Sequence, residues 1–247
     1  MNFFSLFKRK ILYKIKRKIN IDLDNINRDT LDELFHYYGS DKANIFKVTQ
    51  DQGHGFSTFY KQNLNHLKER EIKILEIGSY SGASACAFVK YFPNSKVYCF
   101  DINISKFIYY SKNIHVFGLD IKDNKTVKKI LNKISGESSS DFFDLIIDDG
   151  SHYLSDILIS LKNIFRYLKK GGIYVIEDFN HPNYYKYNRN IDHILVDKTL
   201  KNLKDKKLFN LNNFKKDDKI YFHENIDKIQ TYKGNLPNSD ICFIKKR

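Results

Sequence analysis

The stretch LIIDDGSHYLSD, residues 145–156, places two carboxylates, a glycine and a histidine directly after an apolar run. Charged groups beside a buried strand are costly unless a ligand or a partner neutralises them. Asp149 follows this predicted strand, and Glu177 and Asp178 end the next one along the chain. Carboxylate oxygens are the ligands that Mg²⁺ or Mn²⁺ prefers. The sequence therefore predicts a divalent metal site formed by Asp149, Glu177 and Asp178.

His152 lies three residues after Asp149, where a long helix is predicted to begin. A helix N-terminus disfavours a positively charged imidazole, so this side chain should stay neutral and accept a proton. A bound metal activates a hydroxyl group and orients it. We therefore predict that His152 and Asp149 are catalytic, as base and metal ligand. The alternative is that His152 only caps the helix, although Ser, Thr, Asp and Asn usually fill that role.

A second candidate site lies in EIGSYSGAS, residues 76–84, between another apolar run and a helix. Its two glycines permit a tight turn and a close approach of a ligand to the backbone. The spacing differs from the G-x-G-x-x-G of dinucleotide binders. The acid before the first glycine would repel a pyrophosphate, but it suits a cation such as the amino group of S-adenosylmethionine. The predicted cofactor-binding residues are Glu76, Gly78, Ser79, Gly82, Ser84, Asp101, Asp120 and Asp148.

Three of these acids follow later predicted strands. Asp101 is expected to accept hydrogen bonds from two ribose hydroxyls of the cofactor. Asp120 is expected to meet the adenine amine. Asp148 is expected either to face the cofactor or to brace the turn that follows it. All three lie at carboxyl ends of strands, where open α/β sheets bind their ligands.

Alternation of strand and helix patterns from residue 73 onwards predicts the fold class. It is an α/β, Rossmann-like doubly wound sheet, mostly parallel and with helices on both faces. LSDILISLKNIFRYLKK, residues 154–170, is predicted to be one long helix ending at Gly171. KIYFHE (219–224) and DICFIKK (240–246) follow each other without a helix between them. We expect this last pair to form an antiparallel C-terminal edge of the sheet.

Residues 1–20 are basic, with seven Lys or Arg and no acid, and carry about half of the net charge of +13. Apolar residues recur among them at helical spacing, so a helix here would be amphipathic and basic. Such helices lie on anionic membranes. The alternative is a helix that packs on its own domain or on a partner subunit. The apolar side chains, named the apolar stripe below, are Phe4, Phe7, Ile11, Ile15 and Ile19.

Composition excludes several classes of protein. With 42% hydrophobic residues and only 3 prolines, the chain is not expected to be disordered. The three cysteines have no CxxC spacing, which is typical of a reducing compartment without structural zinc or disulfides. Residues 1–20 are too polar for a signal peptide or a membrane span. We expect a cytoplasmic protein, with the inner face of the membrane as the alternative location.

Several segments together resemble a known family. ILEIGSYSGASACAFVKYFPNSKVYCFDIN, FDLIIDDGSH and LKKGGIYVIEDF are similar to class I S-adenosylmethionine-dependent methyltransferases. More narrowly, they resemble the metal-dependent O-methyltransferases of macrolide sugars and the cephalosporin hydroxylase-like proteins. YYGSDK and HGFSTFY are similar to the family's N-terminal segment. The resemblance spans about residues 31–180 and implies the same metal ligands. The family's usual Trp/Leu-His-Thr-Ser is replaced by Phe-Asn-His-Pro after Asp178.

The basic charge of residues 1–20 and the resemblance, which does not cover this arm, together suggest a division of the chain. Residues 1–25 are expected to be a basic amphipathic arm and residues 26–247 a methyltransferase domain. Within that domain, residues 26–70 are expected to be a helical cap and residues 71–247 the Rossmann-like core.

The expected function is S-adenosylmethionine- and metal-dependent O-methylation of a sugar hydroxyl. We expect a nucleotide-activated sugar, with a lipid-linked sugar as the alternative, destined for a surface polysaccharide such as a capsule. We also expect no nucleic-acid partner and a homo-oligomer. Tyr184, Tyr185 and Tyr187 are expected either to line the acceptor pocket, with His181 nearby, or to lie in the surface or core. The alternatives are an RNA methyltransferase, a small-phenol methyltransferase, and a non-enzymatic membrane-associated subunit. The chain lacks the Asn-Pro-Pro-type motif of base-amino methylation, which argues against RNA.

Overall fold

The computed structural model describes residues 3–26, 28–136, 141–207 and 209–247. The chain forms two compact units, which are Met1–Asp120 with Gly234–Pro237, and Ile121–Lys233 with Asn238–Arg247. No helix within the described ranges is long and apolar enough to cross a membrane.

The first unit contains three parallel strands in the order β5-β3-β2. A separate two-stranded parallel ladder joins β1 to β4. The helices of this unit are α1 (Phe3–Ile15), α2 (Leu31–Tyr38), α3 (Ser57–Leu64) and α4 (Ala83–Tyr91). Its strands are β1 (Ile19–Asn20), β2 (Ile72–Ile77), β3 (Ser95–Asp101), β4 (Tyr109–Tyr110) and β5 (Ile114–Gly118).

Aromatic side chains join three helices of this unit. Phe35 of α2, Tyr60 of α3 and Phe88 of α4 meet edge to face, with centroids 5.3–6.1 Å apart. All three are completely buried, so they contribute much of the hydrophobic stabilisation here. Helix α2 begins where the Thr30 side chain accepts a hydrogen bond from the amide of Glu33, and it ends at Gly39 in the left-handed conformation.

The division of the chain into arm, cap and core stays a prediction.

The second unit contains four strands in the order β6-β7-β9-β8. Strands β6 and β7 are parallel, whereas β9 is antiparallel to both β7 and β8. The seven strands of the two larger ladders therefore confirm the predicted class, a mostly parallel α/β fold with an antiparallel C-terminal pair. The helices of the second unit are α5 (Asn124–Ser135), α6 (Leu154–Ile164), α7 (His181–Tyr184), α8 (Val196–Lys204) and α9 (Lys216–Asn225). Its strands are β6 (Phe143–Asp148), β7 (Leu168–Glu177), β8 (Ile226–Lys233) and β9 (Asp240–Lys246).

Residues 219–224, predicted to be a strand, lie instead in helix α9, and the edge strand is β8. A short apolar run does not distinguish helix from strand by its periodicity. Tertiary contacts stabilise a helix here instead of a strand. Its first turn is fixed by Asp218, whose carboxylate accepts a hydrogen bond from the Lys215 amide and pairs with Arg166 at 3.0 Å. Phe222 is buried against Phe165.

The helix predicted over residues 154–170 is also shorter than expected. Helix α6 ends at Ile164, one 3₁₀ turn follows, and β7 begins at Leu168. Leu168 pairs with Phe143 of β6, and Lys169 forms an ion pair of 2.9 Å with Asp144 of that strand. Because of these contacts with β6, Lys169 and Lys170 belong to strand β7. The sequence pattern of residues 165–170 alone would continue the helix.

Candidate functional site

The glycine loop of the first unit follows β2 and leads into α4. Gly78 and Gly82 both have φ +87°, a conformation that side-chain-bearing residues rarely adopt. A Cβ atom on Gly82 would lie 2.3 Å from the ring of Phe107, which is completely buried. The loop therefore requires glycine at residue 82 for two independent reasons.

Glu76 is completely buried at the start of this loop. The Ser84 hydroxyl donates a hydrogen bond to the Glu76 carboxylate, and the Ser79 hydroxyl donates to its backbone carbonyl at 3.3 Å. The structure thus brings together the predicted residues of the loop. A buried carboxylate held by a hydroxyl group suits a cationic ligand, because an ion of opposite charge offsets the desolvation of the carboxylate.

Asp101 ends β3 and braces the same loop. Its carboxylate accepts hydrogen bonds from the amides of Tyr80, at 2.8 Å, and Asn103. A carboxylate has about four acceptor positions, so room remains for ribose hydroxyls. Asp120 lies two residues beyond β5. The backbone amide of the preceding residue, Leu119, donates a hydrogen bond to the carbonyl of Asp101 at 3.1 Å. The ribose and adenine contacts of Asp101 and Asp120 stay predictions.

The second unit holds a cluster of three metal-ligating side chains. One ligand atom each from Asp149, His152 and Asp178 lies within 4.8 Å of the other two. Asp149 and His152 follow β6 and Asp178 follows β7, and these two strands are parallel neighbours. Their carboxyl ends therefore meet at one edge. His152 and Asp178 have φ +55° and +49°, strained values that are concentrated at functional sites.

This cluster differs from the predicted ligand set by one residue. It contains His152, whereas Glu177 is not a member. Glu177 is 2% exposed at the end of β7, opposite Ile241 of β9. A half-buried carboxylate, a buried carboxylate and a half-buried imidazole are donors that a divalent cation accepts. Asp149 and Asp178 therefore fit the predicted metal, and the part of Glu177 as a third ligand stays a prediction.

Asp148 braces the interior of the second unit. It is 4% exposed and accepts a hydrogen bond of 3.3 Å from the Tyr174 hydroxyl, which also contacts the Ser160 hydroxyl at 2.9 Å. Burial raises the pKa of Asp148 to about 6, although hydrogen bonding to Ser160 opposes the change. These are the contacts of a bracing residue. The alternative cofactor role of Asp148 stays a prediction.

Behind His152 lies a residue that sequence analysis misses. The Asn188 side-chain amide contacts the backbone carbonyl of His152 at 3.3 Å and also the Nδ1 atom of His181. Asn188 is only 2% exposed. The rings of His152 and His181 are 5.2 Å apart. Asn188 is the last residue of a short 3₁₀ turn, Lys186–Asn188, that carries no motif, so no sequence signal singles it out.

The tyrosines after His181 lie at the surface and not in the core. Tyr184, Tyr185 and Tyr187 are all exposed, and the Lys233 ammonium donates to the Tyr184 hydroxyl at 2.8 Å. The ring of Tyr185 lies 4.4 Å from that of His181. Exposed aromatic faces beside the His152 cluster are available for stacking. Their contact with an acceptor stays a prediction.

Comparison with known proteins identifies the segment of the chain that carries most of these residues. Residues 75–179 match a family model described as a methyltransferase domain. This segment is a methyltransferase domain. The match confirms the resemblance to class I methyltransferases, and the domain contains both the glycine loop and the cluster of Asp149, His152 and Asp178.

Sugar O-methyltransferases are among the relatives of this methyltransferase domain. L-olivosyl-oleandolide 3-O-methyltransferase of Streptomyces antibioticus is 30% identical over 183 residues, which are 66% of this chain and 41% of that protein. Mycinamicin VI 2''-O-methyltransferase of Micromonospora griseorubida is 27% identical over 51% of this chain and 31% of its own length. The chain therefore spans less than half the length of these two relatives.

A solved structure has the same fold as the methyltransferase domain and its flanking segments. MycE methyltransferase from the mycinamycin biosynthetic pathway, in complex with Mg, SAH and mycinamycin VI, superposes with a TM-score of 0.67 at 20% identity. The match covers 89% of this chain and 55% of that one. It confirms the predicted Rossmann-like class.

Proposed function

We propose that the chain is an O-methyltransferase that uses S-adenosylmethionine and a divalent cation, Mg²⁺ or Mn²⁺, to methylate a sugar hydroxyl. The observation that carries the proposal is the cluster of Asp149, His152 and Asp178 within a methyltransferase domain. A methyltransferase that acts without a metal has no need for two carboxylates and a histidine so close together. The named relatives, which methylate sugars of antibiotics, support this choice of acceptor class.

The residues of the first unit bind the cofactor in this proposal. S-adenosylmethionine supplies an electrophilic methyl group and leaves as S-adenosylhomocysteine. The buried Glu76 carboxylate, held by Ser84, pairs with the amino group of the cofactor. Asp101 accepts the ribose hydroxyls, and Asp120 accepts the adenine amine. Gly78 and Gly82, both at φ +87°, allow the loop to turn tightly beside the cofactor.

The residues of the second unit prepare the acceptor. A divalent cation, when bound, lowers the pKa of the acceptor hydroxyl and orients it. Asp149 and Asp178 hold the cation, with Glu177 as the predicted third ligand. The Nε2 atom of His152 takes the proton that the hydroxyl loses as its oxygen forms the new bond to the methyl carbon. The methyl–sulfur bond breaks at the same time, so charge and atoms balance.

We further infer that the acceptor is a nucleotide-activated sugar for a surface polysaccharide such as a capsule. The exposed Tyr184, Tyr185 and Tyr187 offer stacking faces for a sugar or a base. The free, buried cysteines Cys86, Cys99 and Cys242 support a cytoplasmic location, where such sugars are made. A homo-oligomer is part of the same proposal. A lipid-linked sugar is the alternative carrier.

Methyl transfer from labelled S-adenosylmethionine to a panel of acceptors tests the proposal. The panel contains nucleotide sugars, lipid-linked sugars, macrolide sugars, a catechol and an RNA, each with Mg²⁺, with Mn²⁺ or with EDTA. We expect transfer to a sugar that EDTA abolishes and either metal restores. Transfer to RNA or to the catechol alone would replace the sugar proposal. If S-adenosylhomocysteine does not raise the unfolding temperature, the chain is a non-enzymatic subunit.

A further inference from the structure

Helix α1 is fixed to the first unit through one of its faces. The Arg9 guanidinium donates to the carbonyl of Ile102 at 2.8 Å, and the Lys16 ammonium donates to the carbonyl of Ser105 at 3.3 Å. Between them, the ring of Tyr13 meets that of Phe107 edge to face, with centroids 6.4 Å apart. The helix is therefore not a free tail.

The segment after the helix is fixed as well. Ile19 and Asn20 pair with β4 in a parallel ladder. The Asp22 carboxylate accepts hydrogen bonds from the Ser111 hydroxyl at 2.6 Å and the Lys112 amide at 2.9 Å. These bonds fix the orientation of α1 on the first unit, and therefore also the orientation of its exposed face.

The exposed face of α1 carries four residues of the apolar stripe, Phe4, Phe7, Ile11 and Ile15, and the fifth, Ile19, lies beyond the helix in β1. Spacings of three and four residues place these side chains on one side of a helix. The structure shows each of them exposed. The helix does pack on its own domain, as the alternative expected, but through its other face, which carries Arg9 and Tyr13. Their exposed fractions are 76% for Phe4, 55% for Phe7, 44% for Ile11, 73% for Ile15 and 51% for Ile19.

Positive charge surrounds the apolar stripe. Lys8, Lys10 and Lys14 lie within α1 and are exposed. Lys16 and Arg17, which follow the helix, are exposed as well. Residues 1–20 contain no Asp or Glu, so nothing of opposite sign within the segment offsets this charge. An apolar face bordered by basic residues is typical of helices that lie in the plane of an anionic membrane surface.

We propose that α1 docks this protein on an anionic lipid bilayer, with the apolar stripe among the acyl chains and the basic residues against the headgroups. This inference is independent of the proposed function. Self-association is the less suitable use of this face, because a two-fold interface would bring identical positive charges together. A nucleic acid is also less suitable, because its phosphates offer nothing to five apolar side chains.

Sedimentation of the full chain with vesicles tests the proposal. One vesicle type contains phosphatidylcholine alone, and the other contains roughly one-third anionic phosphatidylglycerol. We expect binding to the anionic vesicles only. Binding should fall steeply as salt rises to about 1 M, where screening shortens the range of electrostatic attraction to about 3 Å.

Two variants separate the apolar stripe from the basic residues. The triple variant Phe7→Ser, Ile11→Ser, Ile15→Ser should lose at least about tenfold in vesicle affinity, because it removes most of the inserted apolar area. The variant Lys8→Gln, Lys14→Gln should lose on the order of tenfold. The matched control is Ile45→Ser with Val48→Ser. It removes two apolar side chains of the same unit, 46% and 72% exposed, that lie outside α1, and it should bind as the unchanged chain does.

The affinity for S-adenosylhomocysteine and the unfolding temperature show whether each variant is folded. If the triple variant fails to fold, the lysine variant decides. The proposal is overturned if the full chain does not bind anionic vesicles, or if it binds neutral vesicles equally well. It is also overturned if both variants bind like the control. If the full chain does not bind vesicles and the triple variant loses self-association, α1 is an interface between copies of the chain.

Discussion

The Nε2 atom of His152 lies 3.7 Å from the Oδ1 atom of Asp149. This distance is too long for a hydrogen bond, but it is within the range of an ion pair when the imidazole is protonated. It is short enough for the two groups to act on the same small ligand, one through a metal and the other on a proton. Both side chains are 21% exposed, which leaves them accessible to an acceptor.

Asp149→Asn should abolish metal-dependent activity, because a neutral amide is a weaker ligand than a carboxylate. The affinity for S-adenosylhomocysteine should stay unchanged, since the cofactor residues of the glycine loop are untouched. Calorimetry with Mg²⁺ or Mn²⁺ and with S-adenosylhomocysteine measures both. The control is Asp192→Asn, an exposed acid of the same unit. Full activity of the unchanged protein after EDTA treatment would contradict the metal hypothesis.

His152→Ala should lower kcat by roughly 10²–10⁴, the usual contribution of a positioned general base. Binding of metal and cofactor should survive. Because His152 has φ +55°, alanine here also strains the backbone, whereas asparagine tolerates this conformation. His152→Asn should therefore lose the same activity with less destabilisation. His193→Ala is the control in the same unit, and wild-type kcat in both His152 variants would leave this residue a structural role.

Much of this arrangement is predictable from the sequence because strand ends are local features. An apolar run followed by Asp149 or Asp178 fixes where each carboxylate leaves its strand, and parallel pairing then brings the ends together. Long-range contacts are not predictable in this way. Phe222 packs on Phe165, which decides for helix α9, and no local pattern encodes that contact. Asn188 is likewise brought to His152 only by the folded chain.

Asn188→Ala should lower kcat by less than the His152 variants do, because Asn188 only positions the turn and the His181 ring. Losing a buried hydrogen-bond partner costs about 1–3 kcal/mol, so the unfolding free energy should fall as well. The affinity for S-adenosylhomocysteine should not change. Asn188→Asp keeps the size of the side chain but replaces the donor with a buried carboxylate facing the His152 carbonyl, so it should destabilise the protein at least as much as alanine does. Equal kcat in Asn188→Ala and the unchanged protein would remove this positioning role.

Asp101→Ala should weaken S-adenosylhomocysteine binding by about 1.5–3 kcal/mol, the usual contribution of hydrogen bonds to a charged acceptor. Part of the loss would come from the loop, because the Tyr80 amide loses its acceptor. Binding of adenosine and of a 2',3'-dideoxy analogue separates the two causes. If Asp101 contacts the ribose, the variant should discriminate less between them. Unchanged affinity for S-adenosylhomocysteine would exclude Asp101 from the cofactor site.

Gly82→Ala should destabilise the protein more than Gly171→Ala. Both glycines have positive φ, +87° and +75°, so each alanine carries the same backbone strain of about 1–2 kcal/mol. No atom lies within 4 Å of a Cβ on Gly171, whereas a Cβ on Gly82 meets the buried Phe107 ring. That overlap should add about 1–3 kcal/mol and displace the cofactor loop.

Chemical denaturation and S-adenosylhomocysteine binding measure the two effects of Gly82→Ala. Gly171→Ala should lose stability alone and keep its affinity. If the ring is the cause, Phe107→Leu should compensate, so that the double variant with Gly82→Ala is less destabilised than the sum of the single variants. Additive losses, or equal losses for the two glycines, would mean that Phe107 does not constrain the loop. The loop would then require glycine for its backbone conformation only.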